Sequence, residues 1–145
     1  MTTLPAGAAI NQHQQASGEI LYKSHHRLKD KQGQSWQVIV FKSVDQGKVT
    51  NASLRIVGFP GLAQFDHQEP LKIVTKTGDS FGAVDRFAEQ APADNVAQYD
   101  LQAILKQLPL AEPVDLIFSM ESSRRVELQV PSAMVLEWQV MASQS

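Results

Sequence analysis

From Glu19 onward the chain is dominated by short apolar runs that alternate with polar residues and stop at turn-forming clusters. Residues 20–28 read as a strand, Asp30-Lys31-Gln32-Gly33 supplies turn chemistry, and residues 36–44 form a second run. Asp45-Gln46-Gly47-Lys48 repeats the turn signal before a third run at 49–59, so the three make a meander. Residues 71–75 and 81–84 flank Thr77-Gly78-Asp79-Ser80 as a short hairpin, and 114–120 with 125–130 form another around Glu121-Ser122-Ser123. Two stretches have helical spacing instead. Asp100 can cap a helix with Leu101, Ile104, Leu105 and Leu108 on one face, stopped by Pro109. After Pro131, Ser132 can cap a closing helix with a Met134, Val135, Trp138 and Met141 stripe. Residues 85–95 read as a loop with one helical turn near 86–89, broken by Ala91-Pro92-Ala93-Asp94.

The pattern predicts an α+β, mostly β fold: an antiparallel sheet of about six to seven strands, curved or two-layered, packed by two helices. A flattened β-barrel is the alternative. The runs at 36–44 and 54–59 are apolar on both alternating faces, as in strands covered on both sides. Residues 1–18 have no sustained period and are expected to form a flexible N-terminal arm, leaving 19–145 as a single globular domain.

Composition narrows the classes of function. With 145 residues, 43% hydrophobic and 19% charged, the chain is of ordinary globular make-up and long enough for one core. A net charge of −2 provides no field to collect phosphate backbones, so no nucleic-acid partner is expected. The absence of cysteine removes disulfides, thiolate nucleophiles and Cys-rich zinc sites without fixing a compartment. No apolar run reaches the ~18 residues of a spanning helix, and Leu4-Pro5-Ala6-Gly7-Ala8 is like the small-residue end of an export signal.

Candidate chemistry is sparse, and neither a catalytic residue, a cofactor site nor a metal site is predicted. His13 lies in the arm, His25 and His26 are adjacent and so face opposite ways on a strand, and His67 lacks a second ligand at helical spacing. No serine sits in a nucleophile elbow. Asp66 with Glu69, or Asp79 with Asp85, would do acid–base work only if burial raised a pKa. The Gly78–Gly82 spacing matches no phosphate loop. An enzyme would need Asp66, His67, Glu69 and a hydroxyl to converge in a concavity.

Two features suggest contact instead. Lys23, His25, Arg27 and Lys29 alternate, so all four project from one strand face while Ile20, Tyr22 and Leu28 face the other way. Such a basic ladder either protects an edge strand or docks an acidic surface or anionic head groups. Leu54-Arg55-Ile56-Val57-Gly58-Phe59-Pro60-Gly61 joins an interior strand to an abrupt stop, placing Phe59, Pro60 and Leu62 at the rim of the sheet. Closure of the core is the expected role of this rim, with an exposed docking knob as the alternative.

Those eight residues, together with Gly18-Glu19-Ile20-Leu21-Tyr22, Ser35-Trp36-Gln37-Val38, Gln98-Tyr99-Asp100-Leu101 and Leu136-Glu137-Trp138-Gln139, resemble a family of small cyanobacterial proteins of unknown function made with an export or lipoprotein leader. The resemblance spans about residues 18 to 140. It implies an exported protein of the periplasm or thylakoid lumen, an accessory factor near membrane complexes, and brings no catalytic residues. This chain departs from the lipoprotein members in lacking a cysteine at its start. The expected function is that of a non-enzymatic accessory domain that binds another protein, such as a membrane complex during photosynthetic assembly or maintenance, with peripheral membrane contact. The alternative is a small-ligand or lipid-binding module, its pocket between the sheet and the two helices.

Overall fold

The computed structural model describes residues 10–16, 18–87 and 91–143. Among them, nine strands precede one α-helix: β1 (Ile10–Ala16), β2 (Glu19–Lys29), β3 (Ser35–Asp45), β4 (Lys48–Val57), β5 (Leu71–Thr75), β6 (Ser80–Ala83), β7 (Val96–Asp100), β8 (Val114–Ser119), β9 (Arg125–Val130) and α1 (Ser132–Ser143). They form two antiparallel sheets, of order β1-β2-β3-β4-β7 and β6-β5-β8-β9. Each sheet ends in strands paired on one side, so neither closes and the barrel alternative is corrected.

The seven strands expected from alternation and turn chemistry are all present, as β2 to β6, β8 and β9. Two more were not expected. β1 lies within the stretch read as an arm, and its polar residues pair with the start of β2 from Ile10↔Ser24 to Ala16↔Glu19. The export-like residues 4–8 lie outside the described residues, as do residues 88 and 89 of the expected helical turn and the side chain of His13.

β7 also replaces the start of the expected first helix. Asp100 ends β7 opposite Ser53, and the Leu101 N–H donates to the Ala52 carbonyl at 2.9 Å, extending the ladder. Only eight residues then separate Asp100 from Pro109, too short a span to repay helix nucleation, and it folds into turns with a single 3-10 turn at Leu105–Gln107. Leu101, Ile104, Leu105 and Leu108 are nevertheless buried, so the apolar stripe faces the core without a helix to carry it.

The core is one cluster drawn from the inner faces of both sheets and from α1. Trp36, Val38, Val40 and Val44 of β3 alternate inward, meeting Leu54 and Ile56 of β4, Leu71 and Ile73 of β5, Leu116 and Phe118 of β8, and Met134, Val135, Trp138 and Met141 of α1. Trp36 ties the sheets together, packing edge-on to Phe118 with ring centroids 5.1 Å apart and to Phe65 at 5.9 Å. Such ring pairs contribute roughly 0.5–1.5 kcal/mol each beyond the area they bury. The outer face of the first sheet has its own cover of side chains: Ile39 is buried between His25 and Arg55 in register, and the Arg55 guanidinium lies over the rings of Phe41 and Phe87.

Candidate interaction site

The stop after β4 is a rigid projecting turn. Phe59-Pro60-Gly61-Leu62 has the geometry of a type II turn: the Leu62 N–H donates to the Phe59 carbonyl at 3.1 Å, proline fills the second position, and Gly61 at φ +83° fills the third. Its base is clamped, because the Gly58 N–H donates to the Asn95 carbonyl and the Asn95 side-chain amide donates to the Gly58 carbonyl, both at 2.9 Å. Gly58 is required by space rather than by dihedral. A methyl group there would lie 2.5 Å from Ala63 Cβ and 2.6 Å from Trp36 Cζ3.

This arrangement corrects the expectation that Phe59 and Leu62 close the core. Ala63, Trp36 and Phe65 do so, while Phe59 and Leu62 are 68% and 69% exposed and Pro60 is exposed beside them. A surface cleft lies on each flank of Phe59, with Trp36 lining both. Arg27, Gln37 and Val57 complete one cleft, and Gln34, Ala63 and Arg124 the other.

The basic ladder projects as the alternation predicts, with His25, Arg27 and Lys29 exposed and Lys23 half-buried. β2 is not an edge strand along its whole length, since β1 covers Glu19 to Ser24 and β3 pairs throughout. Arg27 lies in register with Gln37, and Gln37 with Val57, two residues before Phe59; the two candidate contact features therefore meet at one end of the sheet. His25 Nε2 is 2.8 Å from Gln37 Oε1. Arg27 makes no ion pair among the described residues. Arg124, which sequence gave no reason to single out, donates from Nη2 to Gln34 Oε1 at 2.8 Å. Asp30 lies near enough for the Arg124 charge to act on it. Burial acts to raise the Asp30 carboxyl, but donation from the Trp36 indole and the Gln34 and Gln32 backbone N–H groups, with Arg124 beyond, holds it below its ordinary value.

The remaining polar side chains tie elements together. His26 faces inward, opposite to His25, and its Nε2 meets Glu137 Oε2 on α1; the Ser24 hydroxyl donates to that same oxygen. Ser24 and Glu137 are buried, so this contact fastens α1 to β2. Lys42 donates to the Ala142 carbonyl at 3.1 Å with its ammonium over the Tyr22 ring. Burial, and then the charge of Lys106, lower the Lys42 pKa. Strand parity could have placed Ser24 and His26 on the inner face; nothing local marks Glu137 as their partner.

Of the acid–base candidates, Asp66, His67 and Asp85 come together near the Tyr99 phenol, while Glu69 and Asp79 lie on exposed turns. His67 Nδ1 lies 2.7 Å from Asp85 Oδ2, while Asp85 Oδ1 accepts from the Phe87 N–H, so the pair joins two loops. Glu69 is exposed, and Asp79 stays in its turn with Thr75 and Thr77. Burial, followed by the charges of Asp85 and Asp66, pushes the Tyr99 phenol well up, keeping it neutral. Among the described residues no group of three or more His, Asp or Glu could hold a metal ion. On the faces expected to flank a ligand, Leu105, Leu108, Trp138 and Met141 are each no more than 7% exposed. No helix among the described residues is long and apolar enough to cross a membrane.

A family model described as a protein of unknown function, DUF3122, matches residues 8–141. The chain belongs to the DUF3122 family. No curated protein and no solved structure matches this DUF3122 chain. The matched span takes in both sheets, the Phe59 turn and most of α1.

Proposed function

We propose that this DUF3122 domain is a non-enzymatic accessory protein that binds another protein through the Phe59–Leu62 turn and the neighbouring end of the basic ladder. The observation that carries this reading is the exposure of two adjacent large apolar side chains on a turn fixed by proline, a left-handed glycine and the Asn95 clamp. Single exposed apolar residues are ordinary, but a preorganised apolar projection with clefts on both flanks has the form of a binding anchor. His26 and His67 each tie two elements together, through Glu137 and Asp85.

The compartment is part of the proposal and rests on the resemblance of the five sequence segments: an exported protein of the periplasm or thylakoid lumen of a photosynthetic bacterium. There it would act in assembly or maintenance of a photosynthetic membrane complex, touching the membrane peripherally. The test is affinity capture from solubilised native membranes, with the folded domain and its Phe59→Ser/Leu62→Ser variant as parallel baits. A partner retained by the first and lost from the second is expected. Equal retention by both, or none by either, rejects the docking role of the turn.

A further inference from the structure

We infer that the partner is an acidic protein segment, which lays apolar side chains into the two clefts flanking Phe59 and carboxylates against Arg27 and Arg124. This inference rests on the docking reading and adds the chemistry of the occupant. The charge of the site is one-sided: each cleft has one arginine in its lining and neither has an Asp or Glu. Arg27 has no ion pair among the described residues, and the hydrogen bonds of Arg124 go to the neutral side-chain oxygens of Gln34 and Gln32. Asp30 answers part of the Arg124 charge, but its carboxylate is already engaged by three N–H groups.

Shape selects a polypeptide over a lipid surface. A bilayer accepts a convex apolar wedge, and a projecting Phe59 alone would suit it. Here the wedge has a concavity on each side with Trp36 in both linings, and concavities accept side chains. Two planar guanidinium groups on opposite flanks match carboxylates in a defined geometry, which a diffuse layer of head groups does not need. The occupant is therefore a segment that crosses Phe59 with an apolar residue on each side and acidic residues outside them.

The experiment is an NMR titration of the 15N-labelled protein with three decapeptide probes. Each carries two leucines three positions apart, with glutamate, glutamine or lysine at the other positions. The glutamate peptide is expected to shift the amides of Gly58 to Ala63, Gln34 and Arg27, and to bind about tenfold more tightly than the glutamine peptide, with the preference falling as salt rises. Arg27→Gln/Arg124→Gln should abolish that preference while the spectrum shows an intact fold. Equal binding of the glutamate and glutamine peptides, or shifts outside the clefts, overturns the inference. Shifts at the turn with phosphatidylglycerol vesicles and none with the glutamate peptide overturn it in favour of a lipid surface. The two readings fail separately in the capture experiment. Loss of the partner from the Phe59→Ser/Leu62→Ser bait with full retention by the arginine double variant removes the acidic occupant and keeps the docking turn.

Discussion

Replacing Gly58 by alanine tests whether the projecting turn and the core are built as one unit. The added methyl would sit 2.5 Å from Ala63 Cβ and 2.6 Å from Trp36 Cζ3, against the ~3.5–4.0 Å at which carbon atoms pack comfortably. Both neighbours must therefore give way by about 1 Å. Neither does so cheaply: Ala63 Cβ moves only with its backbone, and Trp36 is 2% exposed and held edge-on between Phe65 and Phe118. Overpacking of this kind costs ~1–3 kcal/mol, and the rigid neighbours put Gly58→Ala at the upper end, about 2–3 kcal/mol. Urea denaturation followed by tryptophan fluorescence should show a lowered midpoint with an unchanged slope. Ala63→Gly in the same chain removes the shorter contact and should restore part of the loss beyond what the two single changes predict by addition. A Gly58→Ala effect within about 0.5 kcal/mol, or strict additivity, would refute the close approach as the reason for glycine.

Further outcomes follow from the polar ties. Glu137→Gln leaves Ser24 and His26 without their shared carboxylate and should cost about 2–3 kcal/mol by chemical denaturation, because hydrogen bonds to a buried charged group are the stronger ones. Asp30→Asn removes a carboxylate whose folded pKa is depressed, so wild type should exceed the variant in stability above pH 3.8. That advantage should shrink as pH falls from there through the lower folded value, measured as paired urea midpoints across pH. For Lys42 the folded pKa is lowered, so the unfolded chain binds more protons between that value and 10.5. The stability of wild type relative to Lys42→Met should therefore rise with pH across that window.

Seven strands were legible because each has apolar alternation bounded by turn residues, which is information held within about ten positions. β7 was not, because Val96-Ala97-Gln98-Tyr99-Asp100 is short and its strand character comes from pairing with β4, 39 to 47 residues earlier in sequence. β1 is polar and is likewise made a strand by its partner, β2. The expected helix after Asp100 failed for a related reason: apolar spacing identifies a buried face, whereas the backbone went to a ladder bond with Ala52 and then ran out at Pro109. At the candidate site, Arg27, Phe59, Pro60 and Leu62 could be singled out from parity and turn chemistry. Arg124 could not, since a hairpin loop residue gains a place beside Phe59 only through the packing of one sheet on the other. At the rim, Ala63 and Trp36 occupy the space that a side chain at position 58 would need, and the turn tip with Phe59 and Leu62 stays outside.

The most direct test of the docking account is site-specific photocross-linking in native membranes, with benzoylphenylalanine placed at Leu62 in one protein and at Val84 in another. Both positions are 69% exposed, so exposure alone does not separate them. The account predicts a discrete protein adduct from position 62, competed away by excess unlabelled domain and missing from position 84. The same adducts from both positions, or none from position 62, would contradict it.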